Sequence, residues 1–273
     1  PSQKSACAAG GEHVRQVWNP ARRSALQQAF AKSHMLLAGP AFERSAALID
    51  GWTKEWEDGY VGACEATRVH GEQSEHLLDL RMQCLTQRLE SASATIEAAM
   101  AGDTDTVTHA ISAFAALPAV AGCADTKALL AAVPPPEQAI MAAQVAAVRK
   151  ELERARAEGK LGHYKAARAI AEPVLAAARA TKYPAVIAEA GLELGQLQQQ
   201  LGDAAAVDTL RDAMHMAEQA GDSATTIHAA AWLTFTLTMR TSQYDRAQEV
   251  AGFAEAAAAH QMPPMDIYVR LQD

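Results

Sequence analysis

The feature that most constrains this chain is an internal repeat in its second half. Leu161-Gly162-His163-Tyr164-Lys165-Ala166-Ala167 aligns with Leu201-Gly202-Asp203-Ala204-Ala205-Ala206-Val207 and with Thr241-Ser242-Gln243-Tyr244-Asp245-Arg246-Ala247. The spacing is constant, since 202 − 162 and 242 − 202 are both 40. Each copy reads as a helix, a tight turn at Gly or Ser, and a second helix opening near Tyr or Ala. Small residues recur where the two helices must touch: Ala167, Ala171 and Ala178; Gly195; Ala247, Ala251 and Ala254. Looser breakers separate the copies at Tyr183-Pro184, Gly221-Asp222 and Pro263-Pro264. Chance repetition in an alanine-rich chain does not keep turn, small residues and breakers in one phase.

Composition points the same way. Of 273 residues 63 are alanine, and aromatics make up 5% against a hydrophobic share of 49%. Alanine has the highest helix propensity, while the β-branched and aromatic strand formers are scarce. The expected class is all-α, and a nucleotide-binding sheet enzyme is disfavoured. The formal net charge is −8 with Lys and Arg scattered, so no basic surface for nucleic acid is expected. The longest nearly uncharged stretch, Ile111 to Ala124, is broken by Pro118 and Gly122. It falls short of the roughly 20 apolar residues of a membrane span. Position 1 is proline, and the chain reads as a piece of something longer.

The first half has a different plan. Asn19-Pro20 predicts a helix of about 18 residues with Asn19 as N-cap, ended by Gly39-Pro40. Long helices follow over about Ala41–Val69 and Ser74–Met100, with Gly71 as a stop between them. Gly102-Asp103 turns into a shorter helix through Leu117, and Pro118, Gly122 and Pro134-Pro135-Pro136 mark a boundary. The expected division is 1–133, a disulfide-stapled helical hairpin domain, and 134–273, the repeats, the last of them truncated.

Four cysteines, Cys7, Cys64, Cys84 and Cys123, form no CxxC pair, which argues against a zinc ribbon or a thioredoxin-like site. Short connections make neighbouring helices antiparallel, so residues mirror about each turn. A turn near 102–103 sets Cys84 opposite about position 121, and a turn near 39–40 sets Cys64 opposite the segment that begins at Cys7. Cys64 with Cys84 would be out of register by about seven residues, roughly 10 Å at helical rise. Of three connectivities the layout therefore favours Cys7–Cys64 and Cys84–Cys123, which implies an oxidising compartment. The competing reading is four buried free thiols in a cytosolic protein.

The repeat resembles tetratricopeptide repeats. The turn pattern Gly-x-Tyr-x-x-Ala is matched by Gly162, Tyr164 and Ala167, and Leu194-Gly195 matches the leucine–glycine step of the first helix. The period of 40 exceeds the family's 34, the second copy lacks the tyrosine, and the third has Ser242 for glycine. A more degenerate pair is expected around Gly102, with Asp103, Val107 and Ala110. In the first half, Trp18-Asn19-Pro20-Ala21-Arg22-Arg23, Ala63-Cys64-Glu65-Ala66-Thr67, Gly71-Glu72-Gln73-Ser74, Leu77 to Leu85 and Cys123-Ala124-Asp125 carry a second resemblance. These strings look like the region after the kinase domain in myxobacterial-type bacterial serine/threonine protein kinases that end in tetratricopeptide repeats.

The resemblance implies antiparallel helix hairpins followed by an α-solenoid, a right-handed superhelix. It also implies a C-terminal sensor region on the periplasmic face of the inner membrane, tethered through the rest of the parent kinase. This chain has no Gly-rich phosphate loop, HRD or DFG, so it does not itself transfer phosphate. The family's groove positions fall on Arg149, Leu152, Arg156 and Lys160; on Glu189, Leu192, Gln196, Gln199 and Gln200; and on Trp232, Thr236, Met239 and Arg240. The implied partner is a peptide or protein segment in that groove, or a small ligand. Arg156 and Lys160, one turn apart with no facing partner in sequence, stand out within it.

Other constellations are weaker. Glu65, His70, Glu72, Glu75 and His76 gather around the first long turn, as capping polar residues do, and no metal or cofactor is expected. Trp52, Trp56 and Tyr60 form a stripe at i, i+4, i+8 that reads as core. Asp103-Thr104-Asp105 reads as a helix cap. The expected function is non-catalytic ligand sensing or protein interaction; the alternative is a cytosolic scaffold module of a signalling or transcriptional regulator. Thiol titration of unreduced, denatured protein separates these: none free fits the first, four fit the second.

Overall fold

The computed structural model describes Cys7 and residues 10–259, and among them it is all-helical, with no strand. Pro263-Pro264, the last expected breaker, lies outside the described residues. Of the described residues, those as far as Ala132 together with Lys160–His163 form one compact unit, and Val133–Gly159 with residues 164–259 form the other.

The first unit contains α1 (Gly10–Val17), α2 (Pro20–Lys32), α3 (Ala38–Arg68), α4 (Glu75–Ala99), α5 (Thr104–Ala115), a 3-10 turn (Val120–Ala124) and α6 (Thr126–Ala131). Side-chain caps set the helix starts. Asn19 accepts from the Arg22 N–H (3.0 Å), Ser74 from Leu77 (3.2 Å) and Asp103 from Thr106 (2.8 Å), each satisfying a donor with no intrahelical partner. One expected boundary is corrected. The helix opened by Pro20 stops at Lys32, where His34 turns left-handed (φ 56°) and the Ser33 hydroxyl takes the Met35 N–H. Gly39-Pro40 instead lies in the first turn of α3, where proline's missing N–H is not needed.

The 31-residue α3 is the centre of this unit, contacting α1, α2, α4, α5 and the 3-10 turn. Its aromatic stripe is core: Trp56 is 2% exposed and stacks on Tyr60, with ring centroids 5.4 Å apart. Both buried indoles satisfy their N–H, Trp56 on the Leu85 carbonyl (2.7 Å) and Trp52 on that of Pro118 (3.0 Å). Gly102 (φ 60°) has no substitute, because a Cβ there would sit 2.2 Å from the Ala29 carbonyl oxygen.

The cysteines lie in two pairs at disulfide distance, Cys7 with Cys64 (Cα–Cα 5.5 Å) and Cys84 with Cys123 (5.6 Å). This is the pairing that the helix layout favours, and it fits an oxidising environment. A chain of hydrogen bonds connects the two crosslinks. Arg81 donates to the Cys123 carbonyl (3.2 Å) and to Gln73 (3.0 Å), and Gln73 donates to the carbonyl of Ala63, beside Cys64 (2.8 Å).

The apolar stretch Thr104–Ala124 has a mean hydropathy of 1.5, enough by length and composition for a membrane span. It is not one helix here. The 12 residues of α5 rise about 18 Å, well under a ~30 Å hydrocarbon layer, and they bury Val107, Ala110, Ala113 and Phe114 in the unit's core.

The second unit contains most of α7 (Ala139–Lys160), then α8 (Tyr164–Thr181), α9 (Pro184–Gln200), α10 (Ala206–Ala220), α11 (Ser223–Thr241) and α12 (Tyr244–Ala259). From α8 to α12 each helix packs on the next, and α9 also touches α11. Gly162 (φ 85°), Gly202 (φ 72°) and Ser242 (φ 52°) are all left-handed, at the 40-residue spacing of the sequence repeat. Small residues fill the contacts. Ala167, Ala171 and Ala178 are fully buried, and a Cβ on Gly195 would meet the Leu210 side chain at 2.6 Å.

Replacing Cys84 and Cys123 together by serine should lower the stability of the unreduced protein by about 2–4 kcal/mol, because a long loop of the unfolded chain is released. Urea denaturation of the variant beside wild type checks this; equal midpoints would mean the bond is not closed in solution.

Candidate functional site

The residues that the repeat resemblance marks lie on α7, α9 and α11, and the structure sorts them into three groups. Leu152 and Thr236 are corrected to core. Leu152 is fully buried in the inward stripe Val145, Val148, Leu152, Ala155, which follows helical spacing. Thr236 is 3% exposed and donates its hydroxyl to the Trp232 carbonyl (2.7 Å). Leu192 is buried as well.

A second group is neutralised. Arg149 makes a two-pronged contact with Glu189 (3.0 and 2.6 Å), both side chains largely out of solvent. Arg156 is corrected too: it faces Glu153 one turn back on α7 and Glu193 on α9 (3.3 Å). Burial works to lower both guanidinium pKa values, but the neighbouring carboxylates outweigh it and the net direction is up. These arginines stay charged at any working pH and tie α7 to α9. Lys160 falls in the first unit, its Nζ 3.4 Å from the Ala116 carbonyl oxygen.

The third group forms an open pocket of about 410 Å³ lined by Gln199, Gln200, Trp232, Phe235 and Arg240. Gln196 lies half-buried elsewhere on α9, and Met239, 63% exposed, is on α11 beside the pocket residue Arg240. Trp232 and Phe235 meet edge to face, with centroids 6.0 Å apart and planes at 84°. Among the described residues the Arg240 guanidinium has one weak bond, to the Gln199 carbonyl (3.4 Å), and no carboxylate partner. Gln199 is 4% exposed, and its Oε1 is buried without a hydrogen-bond partner. A buried amide oxygen with no donor costs about 1–3 kcal/mol of stability. Arginine supplies donors for a carbonyl or carboxylate, and the aromatic pair supplies an apolar wall.

Phe235 was not singled out in the sequence, and neither were Glu153 and Glu193, the partners of Arg156; Glu189 was marked as a groove position but not as the partner of Arg149. Glu153 precedes Arg156 by one turn, a visible i,i+3 pair. Arg149–Glu189, at a separation of 40, repeats the sequence period itself, and Arg240–Gln199 at 41 nearly does. Facing positions of successive first helices could have been listed from that period. Among the described residues no three His, Cys, Asp or Glu side chains come together as a metal ion would require. No family model, no curated protein and no solved structure matches this chain.

Arg149→Ala should lower stability by about 1–3 kcal/mol by stranding the largely buried Glu189, and Arg149→Lys should recover only part of it, since an ammonium cannot fork. Urea midpoints of the two variants measure the difference.

Proposed function

We propose that this chain is a non-catalytic ligand-sensing domain whose second half is a tetratricopeptide-like α-solenoid of antiparallel helix pairs. Its ligand docks in the pocket of Gln199, Gln200, Trp232, Phe235 and Arg240. The observation that carries the reading is a pocket that sets exposed aromatic surface beside an arginine with no carboxylate partner among the described residues. The repeat reading is supported by left-handed turns in phase with the sequence period and by contacts between first helices at almost the same separation. A compact ligand, or one anchoring side chain of a peptide, suits this pocket better than an extended chain laid along α7. The charged groove positions of α7 already have partners within the protein.

The wider reading places the chain as the extracytoplasmic C-terminal part of a membrane-tethered serine/threonine kinase. Its support is the set of first-half strings, together with two cysteine pairs at bonding distance that suit an oxidising compartment. Ligand binding here would then be the input, and phosphoryl transfer would belong to the parent.

A thermal-shift screen against extracytoplasmic metabolites and short peptides tests the binding function. Members that stabilise the wild-type chain should lose about tenfold or more in affinity on Trp232→Ala or Arg240→Glu, as expected for an aromatic or arginine anchor. Ligands whose affinity is indifferent to both substitutions would place binding elsewhere.

A further inference from the structure

A second cavity, of about 350 Å³, lies in the same unit among α8, α9 and α10 and shares no residue with the pocket just described. Its apolar lining includes Leu175, Ile187, Ala213 and Met216, and Arg179 and Lys182 are its cations. The arginines elsewhere in this unit are largely satisfied: Arg149, Arg154, Arg156, Arg168 and Arg211 each have a carboxylate partner. Arg179 and Lys182 stand three residues apart, and neither side chain has a hydrogen-bond or ion-pair partner among the described residues. In a chain of net charge −8, two uncompensated cations beside an apolar cavity are conspicuous.

The last turn of a helix does favour a cation, because its unpaired carbonyls carry partial negative charge. That accounts for the charge of Arg179, in the last turn of α8, and of Lys182, the residue after that helix, but not for the backbone conformation of Lys182. Lys182 has φ 56°, the left-handed conformation that a side chain adopts only at a cost. The turn is fixed from outside the residue: the Thr181 hydroxyl donates to the Ala178 carbonyl (2.6 Å) and accepts the Tyr183 N–H (3.1 Å), while the Tyr183 hydroxyl donates to the Pro134 carbonyl (2.6 Å). The corresponding turn before α11 has Gly221 at φ 69°, so the chain elsewhere fills this position without strain. Strain kept at the edge of a cavity points to use of the side chain.

We propose that this cavity binds a small amphipathic carboxylate, its apolar body on Leu175, Ile187, Ala213 and Met216 and its carboxylate held by Arg179 and Lys182. The site is independent of the pocket lined by Trp232. His215 adds no resident negative charge; Asp212, the one acid of the lining, is exposed like Arg179 and Lys182, so water weakens its repulsion as it weakens their attraction, and two cations stand against one acid.

Isothermal titration of the full chain with octanoate tests this. Binding should weaken by about tenfold or more in an Arg179→Gln, Lys182→Gln double variant, as loss of charge-assisted bonds requires. Asp212→Asn should tighten it, and Trp232→Ala should leave it unchanged, which separates this site from the proposed sensing pocket. Lys182→Gly should raise the melting temperature while weakening octanoate, an opposition that a purely structural lysine would not produce. Comparison with N-acetylleucine names the source of the carboxylate: tighter octanoate marks an aliphatic acid, tighter N-acetylleucine a peptide terminus. The proposal is overturned if octanoate does not bind at millimolar concentration, if acetate or octanol binds as tightly, or if the double variant binds as wild type does.

Discussion

Close approach of helix backbones through small residues is the constraint on which both halves of this protein depend. With so few aromatic side chains, the chain cannot fill wide gaps between helices, so the helices must come near. Gly102 sets its α-carbon where any side chain would strike the backbone of α2, and Gly195 lets Leu210 of α10 lie directly on α9. Alanines at 0% exposure, among them Ala46, Ala92, Ala110, Ala155, Ala171 and Ala230, do the same along the remaining contacts. Packing of this kind tolerates enlargement poorly, because an added methyl meets backbone at Gly102 and the Leu210 side chain at Gly195.

Within the first unit that closeness is combined with covalent and polar ties around α3. The indoles of Trp52 and Trp56 would be costly to bury with their N–H groups unmet, and both find main-chain carbonyls. Arg81 has no carboxylate partner among the described residues; burial draws its pKa down, and its guanidinium donates to Gln73 and to Cys123. The strand of polar contacts from Ala63 to Cys123 thus runs beside the two crosslinks and orients the loops they join.

Much of this fold was legible in the sequence, and the exceptions have physical reasons. Asn19, Ser74 and Asp103 were readable as starts because capping is a local event. Gly39-Pro40 was misleading because the same dipeptide ends one helix or begins another, and the choice rested on His34 and Ser33, five and six residues before Gly39. The cysteine pairing was favoured by mirroring helices about their turns, and it agrees with the structure although the turn placed at Gly39-Pro40 lies inside α3. The site was less legible. Positions transferred from a repeat pattern specify which way a residue points, not whether a partner already occupies it, so Arg149 and Arg156 looked available although Glu189 and Glu193 of the next copy, and Glu153 one turn before Arg156, already face them. Leu152 was placed outward although its spacing from Val145, Val148 and Ala155 marked the inner stripe. Phe235 carried no signal beyond its adjacency to Trp232 by one helical turn.

The pairing of Arg149 with Glu189 carries a last consequence. The two residues occupy the same place in consecutive copies of the repeat, so the contact joins a copy to its successor by opposite charge. Insertion of a duplicated first copy would bring arginine against arginine at that junction, and a duplicated second copy would oppose two glutamates. The third copy has Ala229 there, which neither attracts nor repels. The order of the copies is therefore written into their facing residues, and the array cannot grow by simple duplication without recoding that one position.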